Sequence, residues 1–352
     1  MGRAGLNRKT ALATVTLVLS AEAPDLDVLG YFHGPVYGFA HHRGITHTLV
    51  GVPMMAALTV VVVWGVYSLW HWRRKAAKPP RWGLLFGLAC LGGLSHILLD
   101  FTNNYGVRPF SPFYPRWYSW DIVFIIEPVL WAILVAGLLM PALFGLIHQE
   151  IGVREHGPRG RTGAILALAG MLLLWGVRDF EHRHALAAMQ ARLYDGAEPI
   201  RVSAYPYWVN PFKWMGVVET KDFLQTMHVD SLAPDVDPDN EAKTYYKPEE
   251  TPVTLAAKKS YLGRVYLDWA HYPLTETEKV ESPPGYVVRF FDLRFMYPER
   301  RERPLSSRVV LNDKLKVVAE YMGFRRQPNR GEGSAGKFFS TGVMLRAFRP
   351  EA

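Results

Sequence analysis

A chain of 352 residues, 49% hydrophobic and 20% charged, is long enough for two domains, and its apolar residues are unevenly spread. Nearly all the long apolar runs fall in residues 49–177, whereas residues 195–352 read as a polar, proline-punctuated globular sequence. The net charge of +8 sits largely in short loops between apolar runs, without interleaved basic and aromatic residues, so no nucleic-acid partner is expected.

In chain order, residues 10–20 form the first apolar stretch, about three helical turns long, which suits a re-entrant or partly inserted helix as well as a full span. Residues 49–70, 83–101, 122–147 and 162–177 satisfy or approach the rule that about 20 apolar residues cross a bilayer core. Together they predict a polytopic membrane domain of five helices over residues 1–180. Lysines and arginines in short loops set its orientation. Arg3, Arg8 and Lys9, then Arg73, Arg74, Lys75, Lys78 and Arg81, then Arg154, Arg159 and Arg161, predict a cytoplasmic N-terminus. Residues 21–48, 102–121 and everything after Val177 are then outside.

A charged helical extension, VRDFEHRHALAAMQARLYDG, is predicted to stop at Gly196. The pattern then turns to short runs rich in β-branched and aromatic residues: RVSAYPYWV, YLGRVYLDWA, GYVVRFFDLRFMY, SSRVVLND and KLKVVAEYM. Residues 231–252, rich in Asp, Glu and Pro, read as a loop. Residues 181–352 are therefore expected to form a small extracytoplasmic α+β or mainly antiparallel β domain. The single cysteine, Cys90, rules out disulfides there and is read as a packing residue.

This topology gathers Asp25, Asp27, His33, His41, His42, Arg43, His47, His96, Asp100, Asp121 and Glu127 at the outer face. Ionisable groups at membrane helix ends are costly unless solvated, paired or metal-bound, so their concentration marks a functional site. His96 and Asp100 are four residues apart, on one helix face, where an imidazole nitrogen and a carboxylate oxygen reach a common divalent cation. The alternative is that Asp100 only caps or hydrogen-bonds His96. In HHRGITHT, residues 41–48, His42 and His47 converge only if the backbone between them is non-helical, which Gly44 permits. Thr46 is then expected to cap the next helix, with His47 in its first turn, and His33 and His41 are read as interfacial bystanders. In PDLD, Asp25 and Asp27 point the same way in an extended segment and offer two carboxylates to metal, or simply end a helix. Glu127 lies in the apolar run of WDIVFIIEP and must be paired, metal-bound or protonated.

The order PDLD, HRGITHT, SHILLDFTNNYGVRPFSP, WDIVFIIEP resembles the bacterial YdjM-like membrane proteins, described as LexA-regulated, membrane-bound metal-dependent hydrolases. The likeness covers residues 10–150. It implies a metal-dependent hydrolase with Asp25, Asp27, His42, His47, His96, Asp100 and Asp121 in its motif blocks. Such proteins commonly carry a histidine in or before the first helix, and MGRAGLNRKT has none. A more distant likeness is to zinc-dependent phospholipases C, which also use a helical His-x-x-x-Asp pair. It implies a phosphoester substrate, with Arg43 and Arg108 offsetting phosphate charge.

The leading expectation is a divalent metal, zinc by preference, held at the outer membrane–water boundary by Asp25, Asp27, His42, His47, His96, Asp100 and Glu127. There it would serve hydrolysis of an ester or phosphoester, such as a phospholipid, presented from the lipid bilayer. Asp25 or Asp121 is the expected general base or ligand. No H-E-x-x-H or G-x-S-x-G is present. The second reading is a non-catalytic membrane protein that binds metal or lipid headgroups and recruits a partner through its C-terminal domain. A transporter fits least, for want of paired broken helices.

Overall fold

A computed structural model describes residues 1–71, 79–150, 160–233, 235–297, 303–323 and 325–326. The loop charges Arg73, Arg74, Lys75, Lys78, Arg154 and Arg159 lie outside the described residues. The N-terminal half is helical: α1 (Ala13–Glu22), α2 (Pro35–His41), α3 (Gly51–His71), α4 (Trp82–Thr102), α5 (Pro128–Glu150) and α6 (Arg161–Gln190). Among the described residues three helices are long and apolar enough to cross a membrane: Gly51–Trp70, Trp82–Thr102 and Arg161–Gln190. Pro128–Pro141 is a shorter apolar helix. These three coincide with three of the five apolar runs of the sequence, and Pro128–Pro141 lies within a fourth.

The differences from expectation have local causes. α1 has ten residues and is about 15 Å long, half a hydrocarbon core. A 3-10 helix (Ala23–His33) then takes over, with Pro24 near its start. α1 packs tightly on α4 because Gly92 has no side chain. A Cβ there would lie 2.1 Å from Ser20 Oγ and 3.0 Å from Leu17 O. The run 122–147 is not one helix, because Pro128 at the first helical position disfavours helical geometry in the residue before it. Ile122 and Val123 are instead buried, and their amides donate to Thr102 O at 3.0 and 3.1 Å. The predicted span 162–177 and the charged extension after it are one continuous helix, α6, so a domain boundary at residue 180 falls inside a helix. That helix ends at Gln190, and Gly196, at φ +79, serves the turn that follows.

The C-terminal half holds two five-stranded antiparallel sheets. The first contains β1 (Arg201–Pro206), β2 (Lys213–Glu219), β3 (Phe223–Asp230), β4 (Asp235–Val236) and β5 (Lys243–Tyr246), with β1-β2-β3 side by side and both β4 and β5 paired to β3. The predicted loop 231–252 thus contains two short strands. Helices α7 (Pro252–Lys259) and α8 (Tyr261–Trp269) come next. The second sheet is ordered β10-β9-β8-β7-β6, from β6 (Pro273–Glu281), β7 (Pro284–Asp292), β8 (Ser307–Asn312), β9 (Val317–Met322) and β10 (Arg325–Arg326).

YLGRVYLDWA, expected to be β-like, is the helix α8. Ser260 caps it by accepting from Gly263 N at 3.0 Å, and Leu262, Tyr266 and Trp269, at helical spacing, are all buried. One core joins the halves: Phe39 of α2 and Tyr105, just after α4, pack with Leu262, Tyr266, Trp269, Val288, Phe290 and Phe295. Arg294, fully buried, locks this junction. Its Nε donates to Asp292 Oδ2, its Nη1 to Asn104 O and its Nη2 to Trp269 O, each at 2.9 Å. Trp269 Nε1 donates to Tyr105 O at 3.1 Å. The second sheet and its helices therefore grip the segment that immediately follows His96 and Asp100.

Candidate metal centre

Three pieces of chain meet at one end of α4: the 3-10 helix 23–33, the turn 42–47 and the last turns of α4. His96 and Asp100 project together from α4, as their spacing predicts. His47 is not in the first turn of a helix but in a short 3-10 turn, Ile45–His47. The helix cap is Thr48 rather than Thr46, since Thr48 Oγ1 accepts from Gly51 N at 2.8 Å. Thr46 instead lies with its hydroxyl 3.1 Å from His47 Nδ1. The break between His42 and His47 is sharper than Gly44 alone supplies. Arg43 takes φ +52, held by its amide donating to Asp27 Oδ2 at 2.7 Å, and a Cβ on Gly44 would sit 2.6 Å from His41 O.

The tips of His47 and His96 face each other, Nε2 to Nε2, at 3.2 Å. Asp25 Oδ1 lies 3.4 Å from His47 Nε2 and 3.5 Å from His96 Nε2, and Asp100 Oδ2 lies 3.4 and 3.5 Å from the same two nitrogens. Asp25, His47 and His96 each offer one ligand atom within 4.8 Å of the others. These residues fit a divalent ion on two grounds. Asp100 Oδ2 is buried with only long contacts, 3.4 and 3.5 Å, to the two imidazole tips, a poorly satisfied position that a cation among them relieves. His47 Nδ1 is directed at Asp27 Oδ2, 3.2 Å away, which orients the Nε2 lone pair into the cluster as in carboxylate–histidine–metal triads. A nitrogen and carboxylate donor set suits zinc or another first-row divalent metal.

Asp27 accordingly stands behind the cluster. Its Oδ1 lies 3.1 Å from His42 Nδ1, while its Oδ2 meets His47 and the Arg43 amide. It is a positioning carboxylate rather than a ligand of this cluster, and His42, paired to it, lies outside the Asp25–His47–His96 group. Replacing Asp27 with asparagine should lower metal affinity about 10–100-fold, the scale of an outer partner of a metal-binding histidine, as measured by competitive titration with a chromogenic chelator.

The Arg43 guanidinium is bound within the protein. Nη2 donates to Asp100 Oδ1 at 2.7 Å and Nη1 to Gly106 O at 2.9 Å and Asn103 Oδ1 at 3.3 Å, while the group stacks 4.7 Å from the Tyr105 ring. It thus orients Asp100. Arg108 is drawn away in the same manner, to Asp268 Oδ2 at 3.3 Å, Ala40 O at 3.2 Å and the Trp117 face at 4.5 Å. Glu127 takes the paired option: its Oε2 accepts from Arg178 Nη2 at 2.7 Å, both side chains being fully buried, so it is not part of the metal cluster. Asp121 faces the C-terminal domain. Burial pushes its carboxyl up to about 6, with Arg294 opposing that shift. His41 contacts Tyr37 O and stacks on the Tyr37 ring, as a bystander should. Asn103, which bridges Arg43 and the Tyr105 amide, was not singled out in the sequence; its only signal was the turn composition of NNYG.

Hydrogen bonds with His47 and His96 hold the Asp25 carboxyl well below the usual carboxylate range, against a desolvation that would raise it. Burial raises Asp27, but its bonds with His42 and His47 win and its carboxyl too is held low. At His47 burial opposes charge, yet bonds to Asp100, Asp25 and Asp27 outweigh it and push the imidazole up to about 10. Without metal the ring therefore carries a proton at neutral pH, and a metal must displace it. Metal affinity should rise with pH by about tenfold per unit for each proton released, from about pH 6 to pH 8. Isothermal titration in buffers of different ionisation enthalpy counts that proton.

A family model described as "YdjM inner membrane protein" matches residues 1–185, more than half of the chain. The chain belongs to the YdjM inner membrane protein family. The expected likeness thus extends past residue 150 on one side and to the N-terminus on the other. Membership of this family and the apolar helices mark a membrane protein. A second model, "YfhP C-terminal alpha/beta plait domain", matches residues 252–330, the part comprising α7, α8 and the second sheet. No curated protein and no solved structure matches the chain.

Proposed function

We propose that this YdjM-family chain is a metal-dependent hydrolase that cleaves an ester or phosphoester at the outer face of the inner membrane. The observation that carries the reading is the meeting of two imidazole tips, His47 and His96, with the carboxylates of Asp25 and Asp100 at one end of an apolar helix. His47, His96 and Asp25 hold the ion, with zinc the favoured metal, and Asp100 faces both imidazoles. When bound, such an ion polarises an ester oxygen and lowers the pKa of water towards neutrality. Asp100, which faces both imidazole tips without being one of the three ligands, is the group placed to take a proton from that water. In the reaction a water oxygen bonds to phosphorus or the acyl carbon, the ester bond breaks, and the proton ends on the departing alcohol. The N-terminus is cytoplasmic and the sheets extracytoplasmic, on the charges of Arg3, Arg8, Lys9, Arg81 and Arg161.

The test is turnover by purified, zinc-loaded protein in detergent, on bis(p-nitrophenyl) phosphate, p-nitrophenyl acetate and phosphatidylglycerol. One or more should be cleaved, and Asp100→Ala should slow cleavage about 100-fold or more, the scale of one such group. A metal-loaded protein that cleaves none of them favours the non-catalytic reading, a metal or headgroup binder with a partner at its C-terminal domain.

A further inference from the structure

The 3-10 helix carrying Asp25 and Asp27 has three residues per turn, so Leu26, Leu29 and Phe32 align along one face. That face is open: the three side chains are 47%, 54% and 87% exposed. The helix cannot roll to hide them. Tyr31 lies against α2, its ring so close to Gly38 that a Cβ there would fall 2.4 Å from it, and His42 and His47 hold Asp27 from within. The stripe therefore points away from the protein while its first residue sits between two site carboxylates. It continues an exposed apolar flank: Val15, Val18 and Leu19 on α1 are exposed, and so are Leu98 and Leu99 on α4, which lie in sequence between His96 and Asp100. The exposed apolar surface of a candidate span thus reaches the level of the cluster along the helix, and Asp25, with a half-exposed side chain, stands beside it.

We propose that Leu26, Leu29 and Phe32 seat the hydrocarbon chain of the substrate, so that the site acts on a long-chain lipid ester or phosphoester cut at headgroup depth rather than on a water-soluble ester. This rests on the hydrolase reading and adds its substrate class. A chain lying along the stripe remains in the outer leaflet, and its polar link meets Asp25, His47 and His96 without leaving the membrane. The same hydrolysis then applies, with the alcohol or acid that bears the chain retained in the bilayer.

Two measurements on the full chain test this. First, a nitroxide at Leu29→Cys, with Cys90→Ala, in phosphatidylglycerol–phosphatidylcholine vesicles should be reached by oxygen and shielded from an aqueous nickel chelate, unlike a label at the exposed Tyr246 of β5. A label at residue 29 as open to nickel as the one at residue 246 overturns the proposal whatever the activity. Second, zinc-loaded protein should favour dioleoyl over dihexanoyl phosphatidylglycerol, and Leu29→Asn with Phe32→Asn should cut that kcat/KM ratio at least about tenfold. Equal rates on both lipids, or an equal loss on both, overturns the proposal. If neither ester is turned over by the parent protein the hydrolase reading fails by itself, and the label depth still decides whether hydrocarbon occupies the stripe.

Discussion

Replacing His96 with alanine should leave the chain folded and strip it of metal. His96 contributes one of the two imidazole tips that meet at 3.2 Å, and it is one of the three residues of the Asp25–His47–His96 group. Losing a direct ligand should cost more than the about 10–100-fold that changes to outer partners cost, so metal content after dialysis should fall to background. The side chain is only partly enclosed, and Asp100 keeps Arg43 Nη2 at 2.7 Å, so helix α4 retains its main tether to the turn 42–47. Elemental analysis of His96→Ala beside the parent protein, both with unchanged circular dichroism, reads this directly. Metal retained at parental stoichiometry would move the site elsewhere.

The second large effect is expected far from the metal. Asp292→Ala removes the carboxylate that accepts from Arg294 Nε and Arg294 N, both at 2.9 Å, and from His271 N at 2.8 Å. Arg294 is left fully buried without its counter-charge, a situation that costs about 3–5 kcal/mol. The half-exposed pair Arg289–Glu278, 2.8 Å apart on the second sheet, is the control: Arg289→Ala should cost under about 1 kcal/mol because water screens it. Urea midpoints followed by near-ultraviolet circular dichroism separate the two, since Trp269 lies 4.4 Å from the Arg294 guanidinium. Because Arg294 also donates to Asn104 O, Asp292→Ala should loosen the segment behind Arg43 and weaken metal binding as well. Equal midpoints for the two variants would mean that the junction does not stabilise the fold.

How much was legible beforehand depends on the range of the signal. His96 and Asp100 were legible because helical spacing alone sets their direction. His42 and His47 could be brought near each other from Gly44, but spacing does not say that Asp27 stands between their Nδ1 atoms and turns it from a ligand into an orienting group. Glu127 plainly needed a partner, yet Arg178 lies 51 residues away and only the packing of α6 against the residues before α5 supplies it. Arg43 and Arg108 look like free cations in a loop; they are bound because the C-terminal domain and the residues after α4 close over them. YLGRVYLDWA misleads because its β-branched and aromatic residues suit a strand, while Leu262, Tyr266 and Trp269 keep helical period and Ser260 starts the turn. Arg294 carried no sequence signal, since its value depends on carbonyls from residues 104 and 269.

X-ray absorption at the zinc edge of the zinc-loaded full chain tests the central claim most directly. The expected result is one zinc per chain, with nitrogen and oxygen ligands at about 2.0–2.1 Å, the multiple scattering of two imidazoles, and loss of one imidazole in His96→Ala. Substoichiometric zinc, or a shell without imidazole scattering, would contradict it.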